Sequence, residues 1–155
     1  MAGTVDDRLK SLGIAIPTAS SPVANYVPWV RAGNLVFVSG QLPLQDGAVA
    51  CLGQIGVGVN GDQGYAAARL CALNVIAHVR TACDGDLDRV KRVVKLTGFV
   101  ASGPAFTDHP AIINGASDLM VQVFGDAGRH SRAAVGASSL PRGATVEVEA
   151  VFEVA

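Results

Sequence analysis

Ten residues near the C-terminus constrain the fold most. From Thr145 to Val154 a period of two separates Val146, Val148, Ala150, Phe152 and Val154 from Thr145, Glu147, Glu149 and Glu153. Successive side chains of a strand point to opposite faces, so this segment reads as a strand with one apolar and one acidic face. The apolar face needs helices to bury it. The acidic face is left without a helix, and another subunit is its expected cover.

Two segments can supply the helices. Asp62 is placed to cap one that reaches about Cys83, with Ala66, Leu70, Leu73 and Ala77 at helical spacing along one side and Gly85 as its stop. Ile112, Ile113, Ala116, Leu119, Met120 and Phe124 mark a second, closed by Gly125. Val23–Val30 and Leu35–Val38 read as a hairpin around Arg31 to Asn34. Pro28 marks its first strand as edge or bulged, and the second, which does not alternate, reads as buried on both faces. A short strand at Ala48–Cys51 is the one element read within the glycine-rich Gly47–Gly61, and Val90–Val100 forms a longer strand. Ala133–Ala137 and Thr145–Val154 are expected to close a final hairpin. The order β-β-α-β-α-β-β describes an α+β fold, a single sheet with two helices packed on one face. Val5–Leu12 reads as a short helix ahead of it, starting at Thr4 or Asp6 and ending at Gly13. The expected organisation is an N-terminal helical arm and link over 1–20 and an α+β domain over 21–155.

If the last hairpin closes with Ala137 opposite Ala144, Arg132 lies opposite Glu149 and diagonal to Glu147. An arginine and two carboxylates then converge on the uncovered face. Arg132 either forms a structural ion pair with Glu149 or uses its planar fork to grip a substrate carboxylate.

Composition narrows the functions. At 155 residues the chain has room for one domain, and 50% apolar residues with a mean hydropathy of +0.37 exclude a disordered one. Only 16% of residues are charged, too few to solvate a monomer generously, so self-association through an apolar or small-residue interface is expected. Twelve Lys and Arg against 13 Asp and Glu give a net charge of -1, and no basic run is present, so nucleic acid is a disfavoured partner. Asp6, Asp7 and Arg8 precede any apolar run, which argues against a secretory signal, and no stretch approaches the roughly 18 apolar residues of a membrane span. No membrane association and a cytoplasmic location are expected. The three cysteines fit reduced, buried hydrophobes: on one helix Cys71 and Cys83 would lie roughly 18 Å apart, beyond disulfide reach.

Gly56-Val-Gly-Val-Asn-Gly61 has the spacing of a dinucleotide-binding turn, but the strand before it is doubtful and no acidic residue ends the strand after it, so it reads as a loop. His78, His109 and His130 show no metal-ligand spacing, and no metal is expected. Ser39-Gly40-Gln41 lacks the second glycine of a nucleophile elbow and reads as a polar strand end.

Val38-Ser-Gly-Gln-Leu-Pro43, followed by Arg132-Ala-Ala-Val-Gly136, Leu140-Pro141 and Val146-Glu-Val-Glu-Ala150, resembles the Rid family. These reactive intermediate deaminases are also called YjgF-like proteins and have carried the labels endoribonuclease L-PSP and translation inhibitor. The resemblance spans roughly Ser21 to Ala155. It implies a chorismate-mutase-like (bacillus-type) fold and a homotrimer with inter-subunit clefts around a central barrel. It also implies hydrolysis of reactive enamines and imines such as 2-aminoacrylate to 2-keto acids and ammonia, with no metal or organic cofactor. By position, Arg132 would hold the carboxylate of a small substrate and Glu147 would position or activate the attacking water. Tyr26, Ser39 and Asn114 would shape and polarise the pocket. Ala134 stands where the best-known members often carry cysteine, and the Gly47–Gly61 and Gly103–Pro110 segments are longer than usual. The alternative is a non-catalytic trimer that binds small carboxylate metabolites; a ribonuclease is disfavoured because this aromatic-poor, neutral chain lacks phosphate-neutralising groups.

Overall fold

The computed structural model describes residues 3–21 and 24–155. In chain order these form α1 (Thr4–Leu12), β1 (Trp29–Ala32), β2 (Leu35–Gln41), the short β3 (Leu44–Gln45), β4 (Ala48–Val49), β5 (Gln54–Ile55) and β6 (Gly58–Val59), α2 (Gly61–Ala82), β7 (Val90–Ala101), α3 (His109–Phe124), β8 (Ser131–Ala137) and β9 (Val146–Val154). Five strands make the main sheet in the order β1-β2-β9-β7-β8, and α2 and α3 cover one of its faces. The α+β class, the succession of main elements and the one-sided helical layer agree with the reading of the sequence.

The final hairpin does not form. β8 pairs in parallel with β7, with Arg132 beside Leu96, while β9 inserts between β2 and β7 and is antiparallel to both. Two constraints explain this. β7, α3 and β8 form a strand–helix–strand unit, whose helical crossover returns the chain parallel to its first strand. β9 buries Val146, Val148, Ala150, Phe152 and Val154 to 3% exposure or less, and this long apolar stripe suits a strand paired along both edges. Ala144 consequently bridges Leu52 rather than Ala137.

Other boundaries move for local reasons. β1 begins at Trp29, directly after Pro28, and forms the sheet edge that the proline predicts. Residues 24–28 bend, and Val23 lies outside the described residues. β2 buries Val36 and Val38 but leaves Phe37 45% exposed, so only its helix side is covered within the chain. The cap of α2 is Asn60 rather than Asp62: Asn60 and Gln63 exchange side-chain-to-backbone hydrogen bonds of 2.9 Å. Its core side is Gly64, Ala68, Cys71, Ala72, Val75, Val79 and Ala82, whereas Ala66 is exposed and Leu70 and Leu73 are half-buried. Small residues take the core side because α3 and the sheet both press on it. A Cβ at Gly115 of α3 would lie 2.0 Å from the Tyr65 carbonyl oxygen, so only glycine lets the two helices approach this closely.

α1 joins the same core. Val5 and Leu9 are buried, Arg8 donates to the Val123 carbonyl at 2.8 Å, and Asp6 pairs with Arg80 at 3.2 Å. Its first turn is capped from afar, by the Asp88 carboxylate accepting from the Thr4 and Val5 amides at 2.8 and 2.9 Å. Cys71 and Cys83 are buried, which raises both thiols above their ordinary value, and all three cysteines are free. Among the described residues no helix is long and apolar enough to cross a membrane.

Gly115→Ala is expected to cost about 1–3 kcal/mol by forcing α2 and α3 apart. Urea unfolding checks it, read as a lower midpoint at unchanged slope.

Candidate active site

The sheet face without helices is a grid of side chains set by register. Val30, Phe37, Val151, Lys95 and Ser131 form one row, Glu149, Thr97 and Ala133 the next, and Glu147, Phe99 and Val135 a third. Thr145, expected on this face, is instead fully buried, its hydroxyl donating to the Gly53 carbonyl at 2.8 Å. The face is therefore mixed rather than purely acidic, with Val30, Phe37 and Val135 exposed. A groove of about 470 Å³ on it is lined by Val30, Phe37, Ser39, Lys95, Thr97 and Glu149 among others.

Glu147 belongs to this face and lies over β2. A Cβ on Gly40 would sit 2.2 Å from its Oε1, so the glycine of Ser39-Gly40-Gln41 is the space that the carboxyl group occupies. The register between β2 and β9 slips between Val38 and Gln41, and this local bulge carries the motif. Ser39 donates its hydroxyl to the Val27 carbonyl at 2.8 Å, which ties β2 to the bend holding Tyr26. Tyr26 is 52% exposed. Burial raises the Glu147 pKa, and Glu149, two residues on along the same face, adds to the effect.

Arg132 lies elsewhere. It shares the helix side of β8 with Ala134 and reaches α3, where Nη1 donates to Asn114 Oδ1 at 2.8 Å and to Ser117 Oγ at 3.1 Å. Ser117 Oγ is in turn 2.9 Å from His130 Nε2, and His130 Nδ1 is 2.6 Å from the Gly128 carbonyl. Among the described residues no carboxylate lies within 4.0 Å of the guanidinium. The expected meeting of Arg132 with Glu147 and Glu149 does not occur within the chain. Arg132 is level with Leu96 and Glu147 with Phe99, which puts them about 10 Å apart along the strands and about 10 Å across them, on opposite faces.

The sequence-based candidates thus fall into two groups. Arg132 and Asn114 form one at the β8 edge; Tyr26, Ser39 and Glu147 form the other toward the β1 edge. Ser117 and His130 were missed. Their signal was the three-residue step from Asn114 to Ser117 along a helix and the place of His130 two residues before Arg132, just ahead of β8. In the glycine-rich turn before α2, Ile55 and Val59 are anchored in the core, and the Asn60 side chain caps the helix by accepting from the Gln63 amide at 2.9 Å. The longer Gly103–Pro110 segment packs Phe106 edge-on against His109, whose Nε2 is 3.2 Å from Ser102 Oγ, beside a cavity of about 310 Å³.

This sheet, helical layer and strand order define a chorismate-mutase-like α+β protein. The chain matches over residues 6–153 the family described as "YjgF/chorismate mutase-like, putative endoribonuclease", and it belongs to that family, the YjgF-like or Rid proteins. It is 50% identical to protein TCP17 of Trypanosoma cruzi over 98% of this chain and 95% of that one. A solved protein of unknown function from Agrobacterium tumefaciens is 48% identical and superposes with a TM-score of 0.91 over 97% of this chain and 92% of that one. A 2-iminobutanoate/2-iminopropanoate deaminase of Dermatophagoides farinae is 27% identical over 89% of this chain and 92% of that protein.

Burial makes ionised Glu147 costlier in the fold than in the unfolded chain. Its stabilising contribution is complete below the ordinary glutamate value of 4.5 and is lost as pH rises through the raised value. Glu147→Gln is therefore expected to be more stable than the parent well above that range and equally stable well below it. Urea midpoints at the two extremes check this.

Proposed function

We propose that this protein hydrolyses small 2-imino acids and their enamine tautomers, of the 2-aminoacrylate type, to 2-keto acids and ammonia. The observation that carries the reading is the state of Arg132. Both Nη1 hydrogens are taken up by neutral oxygens of α3, while among the described residues no carboxylate compensates its charge. The Nε and Nη2 edge of the fork matches a carboxylate bidentately. The deaminase relative supports the substrate class.

Glu147 supplies the chemistry. Water attacks C2 of the imine while the ionised Glu147 takes one of its protons, giving a tetrahedral carbinolamine. The carboxyl group then returns that proton to nitrogen. Glu147 next takes the second water proton from oxygen as the oxygen electrons re-form C=O, and passes it to nitrogen as the C–N bond breaks, so that nitrogen leaves as ammonia. A carboxylate whose pKa is raised by burial is a better base for this step than an ordinary glutamate.

The two groups of site residues occupy opposite parts of the sheet, so the complete site in this reading is shared between copies. Arg132 and Asn114 at the β8 edge of one subunit would face Tyr26, Ser39 and Glu147 of its neighbour. Such a head-to-tail contact closes into a ring, and a homotrimer with three clefts is the assembly proposed. The open sheet face, with Val30, Phe37 and Val135 exposed, is the surface it would cover. No metal or organic cofactor enters the scheme.

The deciding experiment adds the protein to 2-aminoacrylate generated in place by a serine or threonine dehydratase. Ammonia and keto-acid release should accelerate, Arg132→Ala should lose both binding and acceleration, and Glu147→Gln should still bind a keto acid while hydrolysis falls about 10²–10⁴-fold. Unchanged turnover in Glu147→Gln would remove it as the base. Binding without turnover in the parent would leave a carboxylate-binding trimer.

A further inference from the structure

Building on Arg132 as the carboxylate clamp, we propose that Ser117 and His130 are positioning residues which fix its guanidinium through a directed hydrogen-bond chain, and that protonating His130 disables the clamp. The direction follows from what each atom can do. The Gly128 carbonyl only accepts, so His130 Nδ1, 2.6 Å away, carries the ring hydrogen. In the neutral ring Nε2 is then an acceptor, and the Ser117 hydroxyl donates to it at 2.9 Å. With its hydrogen turned to the imidazole, Ser117 Oγ presents lone pairs to Arg132 Nη1 at 3.1 Å. Asn114 Oδ1 takes the other Nη1 hydrogen at 2.8 Å, and the two bonds together set the plane of the fork.

A proton on His130 reverses this order. Nε2 becomes a donor aimed at Ser117 Oγ, the hydroxyl hydrogen has to turn away, and the one oxygen must then accept from two cationic donors, which weakens its hold on Arg132. An imidazolium would also face the guanidinium. Arg132 is the charged group that acts on the ring; Arg129 pairs with Asp126 at 3.6 Å, and Asp118 accepts from Tyr65 at 2.7 Å. Burial lowers the His130 pKa below the ordinary 6.5; the Gly128 bond opposes this and Arg132 reinforces it. The ring is neutral near pH 7, and the chain is intact there.

The test is calorimetric binding of 2-oxobutanoate, a product-class keto acid, to the full chain, together with KM and kcat for imine hydrolysis. The parent should bind and Arg132→Ala should not. Ser117→Ala and His130→Ala should each weaken binding about tenfold or more, as loss of a hydrogen bond to a charged group does. The double variant should be no worse than either single one, because the chain is broken only once. KM should rise with kcat nearly constant, and Ser117→Thr, which keeps the hydroxyl, should restore binding. Parent affinity should fall as pH drops through the His130 transition, and His130→Ala should lack that dependence. Parent-like affinity in Ser117→Ala, or an unaltered pH profile in His130→Ala, overturns the positioning chain alone. A parent protein that binds no keto acid overturns the clamp itself and with it the proposed function.

Discussion

The central position of β9 organises the molecule. The apolar side chains on its helix side, all at most 3% exposed, hold the sheet to the helices, and its pairing with both β2 and β7 puts the β1–β2 hairpin on one side of it and the β7–α3–β8 unit on the other. Because β9 occupies the middle, β8 is forced to the edge. Its helix-side residues then meet the flank of α3 rather than a neighbouring strand. That displacement brings Arg132 to Asn114 and Ser117 and leaves Glu147 on the far face.

The Glu147 environment shows how two distant motifs serve one feature. Ser39-Gly40-Gln41 reads in the sequence as a polar strand end, yet a side chain at Gly40 would collide with the Glu147 carboxyl group. The Gln41 amide donates to the Ser39 carbonyl at 3.0 Å and the Ser39 hydroxyl to Val27 at 2.8 Å, so the bulge is held from both sides. A carboxyl group laid across backbone, with Glu149 beside it, loses hydration without gaining a cation. Its raised pKa follows from that placement.

Periodicity made α3 and β9 legible because each carries a long, regular apolar stripe, and β7, which alternates imperfectly and shifts register twice against β9, was legible as a strand from its length and apolar content. α2 was legible in extent but not in orientation. Its core side alternates Gly64, Ala68, Ala72 and Ala82, which register weakly as hydrophobic, with Cys71, Val75 and Val79, so the larger Leu70 and Leu73 dominate the sequence pattern although they lie at its margin. Strand partners were the least legible. Ala133–Ala137 and Thr145–Val154 are close in sequence, and only the crossover through α3 decides that β8 belongs beside β7. The candidate residues were accessible through resemblance, while their partition over two regions of the sheet depended on strand order and could not be read from spacing. His130 shows no metal-ligand spacing in the sequence, and the positioning role proposed for it, which comes from holding another side chain, would leave none.

Arg132 is oriented by neutral oxygens, and that choice matters for the clamp proposed for it. A carboxylate partner would hold the guanidinium equally well, but an incoming anionic substrate would have to compete with it or tolerate its repulsion. Asn114 and Ser117 fix the plane of the fork without neutralising it, so its charge remains for a ligand. The cost is a cation with only dipolar compensation beside half-buried groups, which is acceptable at a solvated sheet edge and would not be in the core. The same logic accounts for a neutral His130 at the end of the chain: an imidazolium there would add a second uncompensated cation to one that the fold already maintains.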